Sequence, residues 1–134
     1  MTHPTPTPKT GLLYRLYQRR LRREIDLDRV PHHIAVIVDG NRRWAKQRLQ
    51  GRAAFGHRAG ARKIPEFLGW CEEAGVGVVT LYLLSADNLN ARDRVELDDL
   101  FGIIGELATL LSENPRWRVK HVGTNEGLPE PLIA

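Results

Sequence analysis

Two short apolar runs limit what this chain can fold into. Residues 34–38, I-A-V-I-V, are mostly β-branched and end on Asp39; residues 78–84, V-V-T-L-Y-L-L, run into Ser85-Ala86-Asp87-Asn88. Continuous runs of this length fit strands buried in a parallel sheet. A helical pattern over 57–74 separates them, with Ile64, Phe67, Leu68 and Cys71 on one face. A second helix is expected over 94–112, with Leu97, Leu100, Phe101, Ile103, Ile104, Leu107, Leu110 and Leu111 as its broad apolar face. A third strand is expected at 117–122, W-R-V-K-H-V. The order β-α-β-α-β defines an α/β fold, a parallel central sheet with flanking helices. In open sheets of this kind ligands bind at the carboxyl ends of the strands.

The stretch from Ile34 to His57 therefore holds the candidate site. Asp39 offers a hard oxygen ligand suited to Mg²⁺, which one or two carboxylates hold together with substrate phosphate oxygens. Gly40, Asn41, Arg42, Arg43 and Trp44 supply backbone N–H groups at a helix start and guanidinium groups that grip phosphate. Ser85 and Asn88 add neutral hydrogen-bonding groups from the second strand end. The loop is not a Walker A motif, since no G-K-[ST] follows, and no G-x-G-x-x-G is present. The competing reading of Asp39 is a helix cap.

The remaining segments bound the rest. The chain has 134 residues, enough for one domain. Residues 1–10, rich in proline, read as a disordered tail in which His3 is solvated. Residues 11–25 read as an amphipathic helix with Leu12, Leu13, Leu16, Tyr17, Leu21 and Ile25 on one stripe and five arginines around it. Packing on the domain with a solvated basic face is preferred over contact with a membrane surface or an acidic partner. His32 and His33 point to opposite sides of a strand and do not chelate one metal together. Pro65 kinks or breaks its helix. The acids Asp93, Glu96, Asp98 and Asp99 read as a helix-start charge bias rather than a metal cluster. Residues near Pro131 open a further helical turn. The net charge of +4 fits an anionic partner without choosing one. Cys71, the only cysteine, is a buried structural thiol, and a reducing cytoplasm is the expected compartment. No apolar run approaches membrane-spanning length.

Three blocks carry a resemblance: H-I-A-V-I-V-D-G-N-R-R-W-A-K, then F-G-H-R-A-G-A, then T-L-Y-L-L-S-A-D-N-L. Their order and spacing resemble the cis-prenyltransferases, the family of undecaprenyl diphosphate synthase and the Z-isoprenyl diphosphate synthases, from about residue 12 to the end. The resemblance implies condensation of isopentenyl diphosphate with an allylic prenyl diphosphate, with a new Z double bond. It implies that Asp39 binds Mg²⁺ and assists diphosphate departure. Gly40, Asn41, Arg42 and Arg43 would hold the diphosphate, with Trp44 packed at the site. His57 would sit near the diphosphates, and the Ser85-Ala86-Asp87-Asn88-Leu89 segment would bring Asn88 to the proton removed from the homoallylic substrate. Leu81, Leu83, Leu84 and Leu89 are the candidates for an apolar pocket that excludes water from an allylic cation. A homodimer and peripheral contact with the inner face of the membrane through the product are further implications.

The sequence departs from the family pattern at several places. Asp87 stands for a usual glutamate, Leu89 for a tryptophan and Arg42 for a glycine. Two family arginines fall on Ala53 and Ala91, with Arg52 and Arg92 adjacent, and a one-residue offset is expected to redirect each side chain. The L-L-S-x-[DE]-N-L form resembles short-chain actinobacterial members and favours a short product. The family's R-x-G-[GE]-x-R-x-S segment, which binds isopentenyl diphosphate, is not in these residues. The expected function is thus a cis-prenyltransferase represented by its N-terminal half, inactive alone. The alternative is a non-catalytic diphosphate-binding or partner subunit. A nucleic-acid-binding domain explains the charge but not D-G-N-R-R-W, so no nucleic acid partner is expected.

Overall fold

In the computed structural model, residues 11–49 and 53–133 are described. The proline-rich tail and Arg52 lie outside them. The order is α1 (Leu12–Glu24), β1 (His33–Ile37), α2 (Asn41–Leu49), α3 (Ala53–Glu73), β2 (Val78–Tyr82), α4 (Ala86–Ala91) and α5 (Arg94–Ser112), with single 3₁₀ turns at Leu27–Arg29 and Glu130–Leu132.

The two strands pair in parallel, with His33 opposite Val78 and Ile37 opposite Tyr82. Their carboxyl ends therefore fall side by side, as the strand order requires. Burial alternates along both. Ile34, Val36, Val79 and Leu81 form the half-buried face, while Ile37 is 73% exposed on the other. The expectation of strands buried on both faces is corrected accordingly: among the described residues only one face of this sheet is covered. The two histidines divide as expected. His33 Nε2 lies 2.8 Å from Thr80 Oγ1 on the neighbouring strand, and the His32 ring packs where Gly77 lacks a Cβ.

The expected third strand does not form. Residues 117–122 make no ladder among the described residues. Trp117 tucks against the core, but Val119 and Val122 stay exposed. A strand needs a partner edge for its backbone groups, and alternation in sequence does not supply one.

The core lies between the covered sheet face and the helix pair α3 and α5. Ile64, Leu68 and Leu107 form its centre, with Val79, Leu81, Phe67 and Trp117 packed around them. Pro65 neither breaks nor ends α3, which runs unbroken through it. The missing hydrogen bond and ring clash cost about 3 kcal/mol in an isolated helix. Burial of Ile64 and Leu68 on either side offsets much of that, at about 1.5–3 kcal/mol for each fully buried side chain. Cys71 is buried, as expected, and burial pushes its thiol pKa up.

Helix α1 does not pack on the domain as expected. Its apolar stripe faces outward, with Leu13 82% exposed, and no residue of the helix is buried. An ion pair ties it to the domain from its polar side, Arg22 Nη2 to Glu73 Oε2 at 2.7 Å. That pair lies opposite the apolar stripe on the helix, so it turns the stripe away from the protein.

Candidate active site

The chain leaves β1 through a turn that only glycine adopts easily. Gly40 has φ 86°, and its N–H donates to Asp39 Oδ1 at 2.6 Å. Helix α2 starts at the next residue, and its first turn is set against α3 by two glycines four residues apart. A Cβ at Gly56 would strike the Asn41 carbonyl, and one at Gly60 would come within 2.6 Å of Asn41 Oδ1. Ala45, fully buried, completes this close helix contact. Asn41 is therefore fixed between two helices rather than held on a free loop.

A cleft of about 470 Å³ opens where the two strands end. It is lined by Ile37, Val38, Asp39, Gly40, Asn41, Arg42, Arg43, Lys46, His57, Tyr82, Leu83, Asn88 and Arg92. Four cationic side chains thus face one carboxylate, Asp39. An anion of two or more charges fits that balance. No cluster of three or more His, Cys, Asp or Glu side chains gathers among the described residues. A single carboxylate beside bound phosphate oxygens is a usual Mg²⁺ arrangement, so the donor set fits that ion with a substrate present.

The second strand end is ordered by a cap. Ser85 Oγ accepts from the Asn88 backbone N–H at 3.1 Å and from Asn88 Nδ2 at 2.6 Å. This leaves Asn88 Oδ1 facing Arg92, whose Nε and Nη2 donate to it at 3.2 and 3.1 Å. Arg92 Nη1 lies 3.2 Å from His57 Nε2 and 3.0 Å from Glu96 Oε1. His57 Nε2 is also 3.3 Å from Glu96 Oε1. One ring nitrogen cannot both donate to Glu96 and accept from Arg92, so these are two tautomers. Burial lowers the His57 pKa; the hydrogen bond to Glu96 opposes this and the Arg92 charge adds to it. His57 is therefore neutral near pH 7 and able to exchange a proton.

Of the expected site residues, Asp39, Gly40, Asn41, Arg42, Arg43, His57 and Asn88 meet in this cleft. Ser85 stands behind Asn88 as its cap. Trp44, Ala86, Asp87 and Leu89 lie outside the lining, with Ala86 and Asp87 exposed on the first turn of α4. Of the four leucines expected to shape an apolar pocket, only Leu83 borders the cleft. Leu81 is in the core. A second hollow of about 40 Å³ adjoins the cleft between α3 and α5; its apolar side is shaped by Val38, Ala61, Ile64, Leu83, Leu100, Ile103, Ile104 and Leu107, and Asn41, His57 and Arg92, shared with the cleft, also line it.

Arg92 corrects the expectation of a redirected side chain. Residues 86–91 are helical, so positions three and four after Asn88 lie on the same helix face. The offset from Ala91 to Arg92 keeps the guanidinium on Asn88. Glu96 also belongs to the site, although its position in the chain groups it with the exposed acids Asp93, Asp98 and Asp99. Asp93 does cap α5, accepting from the Glu96 N–H at 2.8 Å. The Glu96 side chain instead lies in line with Leu100, Ile103 and Leu107, the buried stripe of α5. An acid in register with an apolar stripe was the available signal.

An α/β sheet with a cationic cleft and one exposed carboxylate at its strand ends presents a site suited in charge to an anion. Residues 37–134 match the undecaprenyl diphosphate synthase family of prenyltransferases. The chain belongs to this family. It is 51% identical over 121 residues to isoprenyl transferase 2 of Tropheryma whipplei (strain Twist), covering 90% of this chain and 46% of that protein. It is 55% identical over 121 residues to isoprenyl transferase 1 of Streptomyces avermitilis, with the same coverage. It is 51% identical over 117 residues to the (2Z,6E)-farnesyl diphosphate synthase of Thermobifida fusca, covering 87% of this chain and 45% of that protein. The chain thus spans about half the length of these relatives.

Proposed function

We propose that this chain carries the allylic-diphosphate half of a Mg²⁺-dependent cis-prenyltransferase site. The observation that carries the reading is the cleft that joins Asp39, Arg42, Arg43, Asn88 and Arg92 at two adjacent strand ends. Arg42, Arg43, Lys46 and Arg92 would hold the diphosphate, and their charges oppose the negative charge that develops as it leaves. Asp39 would hold Mg²⁺, which supplies further stabilisation of that charge. Asn88, oriented by Ser85 and Arg92, and neutral His57 stand where a proton from the second substrate would be received or passed on. The apolar hollow between α3 and α5 would widen to take the start of the prenyl chain and keep water from the allylic cation. The name of the Thermobifida fusca relative supports a short Z product.

The test is calorimetric titration with geranyl diphosphate, with and without Mg²⁺. Binding that depends on Mg²⁺, and loses that dependence in Asp39→Ala, is expected. Binding indifferent to both Mg²⁺ and Asp39 contradicts the assignment. With labelled isopentenyl diphosphate added, residues 1–134 alone are expected to form no product. Product that disappears in Asp39→Ala would instead show that these residues suffice.

A further inference from the structure

The diphosphate reading leaves one inward-facing carboxylate without a role. Glu96 is 14% exposed, next to Arg92 at 11% and His57 at 8%. Its Oε2 also lies 3.8 Å from Arg42 Nη1. An acid this close to an anion site works against binding by simple repulsion. The arrangement of Arg92 supplies the reason for it. The guanidinium is nearly buried, and Asn88 Oδ1 takes two of its donors. Its remaining fork needs a counter-charge, because a buried guanidinium left unpaired is strongly destabilising. Glu96 Oε1 meets that fork at 3.0 Å and the His57 ring nitrogen at 3.3 Å.

We propose that Glu96 is a positioning residue, whose carboxylate fixes Arg92 and the His57 ring where they line the cleft. The inference rests on the reading of that cleft as a diphosphate site. Glu96 is not itself part of the cleft lining; it stands behind Arg92 and His57 and acts through them. Two views of Glu96 then give opposite signs. If it is a bystander acid, removing it tightens anion binding. If it positions Arg92, removing it weakens binding although a negative charge has gone.

The experiment titrates the full chain with inorganic pyrophosphate and Mg²⁺. Glu96→Ala is expected to weaken binding by about tenfold, the lower end of what loss of an orienting partner costs at a ligand site. Glu96→Gln keeps an acceptor for Arg92 and is expected to stay within about threefold of the parent. Asp98→Ala, an exposed acid in the same turn, is expected to leave affinity unchanged or raise it. Unchanged or tighter binding in Glu96→Ala overturns the proposal. A ligand-free arm separates this from the diphosphate reading. The Arg92 Nη1–H groups, which donate to Glu96, should exchange with water faster in Glu96→Ala and the His57 ring nitrogen shifts should move. An unchanged exchange rate and unchanged shifts overturn the positioning role whatever the ligand does. A parent chain that fails to bind pyrophosphate sinks the diphosphate reading, and the exchange rate still decides the role of Glu96. If the alanine variant does not fold, Glu96→Gln carries the exchange measurement, where loss of charge alone should accelerate it.

Discussion

Two glycines in one helix make opposite predictions. Gly56 and Gly69 both lie inside α3. A Cβ at Gly69 meets nothing within 4 Å, whereas one at Gly56 would lie 2.7 Å from the Asn41 carbonyl carbon and 3.0 Å from Ala45 Cβ. Replacing glycine by alanine in a helix interior stabilises by about 0.5–1 kcal/mol at either position. At Gly56 the obstruction is backbone and a fully buried alanine, so α2 itself must shift. Overpacking of that kind costs about 1–3 kcal/mol. The propensity gain cancels when the variants are compared with each other. Gly69→Ala should therefore be the more stable by about 1–3 kcal/mol, the overpacking cost alone. Urea denaturation of both variants against the parent reads this directly, and thermal melts should separate by about 4 °C per kcal/mol. Because the shift moves Asn41, Gly56→Ala should also weaken pyrophosphate binding, while Gly69→Ala should not. Equal stabilisation of the two variants would refute the close contact between α2 and α3, and with it the fixed placement of Asn41.

Two further outcomes follow from burial and charge. The His57 pKa is pushed below its ordinary value of 6.5 by burial. The unfolded chain thus takes up this proton first, so stability is complete above pH 6.5 and falls as pH drops through the folded pKa. Urea midpoints should decline as pH falls below 6.5, with a shallower decline in His57→Gln. On α1, Leu13 is 82% and Leu16 52% exposed. Leu13→Glu with Leu16→Glu should change stability by no more than about 0.5 kcal/mol each by the same denaturation assay; a loss of several kcal/mol would mean the stripe is packed.

Much of this arrangement is written in local patterns. The two apolar runs became the parallel strands within two residues of their expected bounds, and the helix at 94–112 has its expected ends, because continuous β-branched runs and 3.6-residue periodicity are local signals. Asp39 after the first run and Asn88 after the second reached one cleft because parallel pairing puts both carboxyl ends together. What failed depended on partners distant in sequence. The third strand expected at 117–122 pairs with neither open edge of the two-stranded sheet among the described residues. The apolar stripe of α1 is periodic, yet periodicity does not say which side an ion pair such as Arg22–Glu73 will hold. The one-residue offset at Arg92 redirects nothing because residues 86–91 are helical, a state not assigned to them from the sequence. Glu96 was grouped with its exposed neighbours although it falls in line with Leu100 and Ile103. Gly56 and Gly60 stand in the F-G-H-R-A-G-A block, but their role, leaving room for Asn41 from another helix, has no local pattern.

The central claim is that the strand-end cleft, rather than the basic surface in general, is the diphosphate site. Amide and side-chain chemical shifts of labelled protein, followed during titration with geranyl diphosphate and Mg²⁺, test it most directly. Shifts concentrated at Asp39 to Arg43, His57, Asn88 and Arg92 are expected, with the arginines of α1 and the 117–122 segment unmoved. Shifts centred on α1, with the cleft silent, would contradict it.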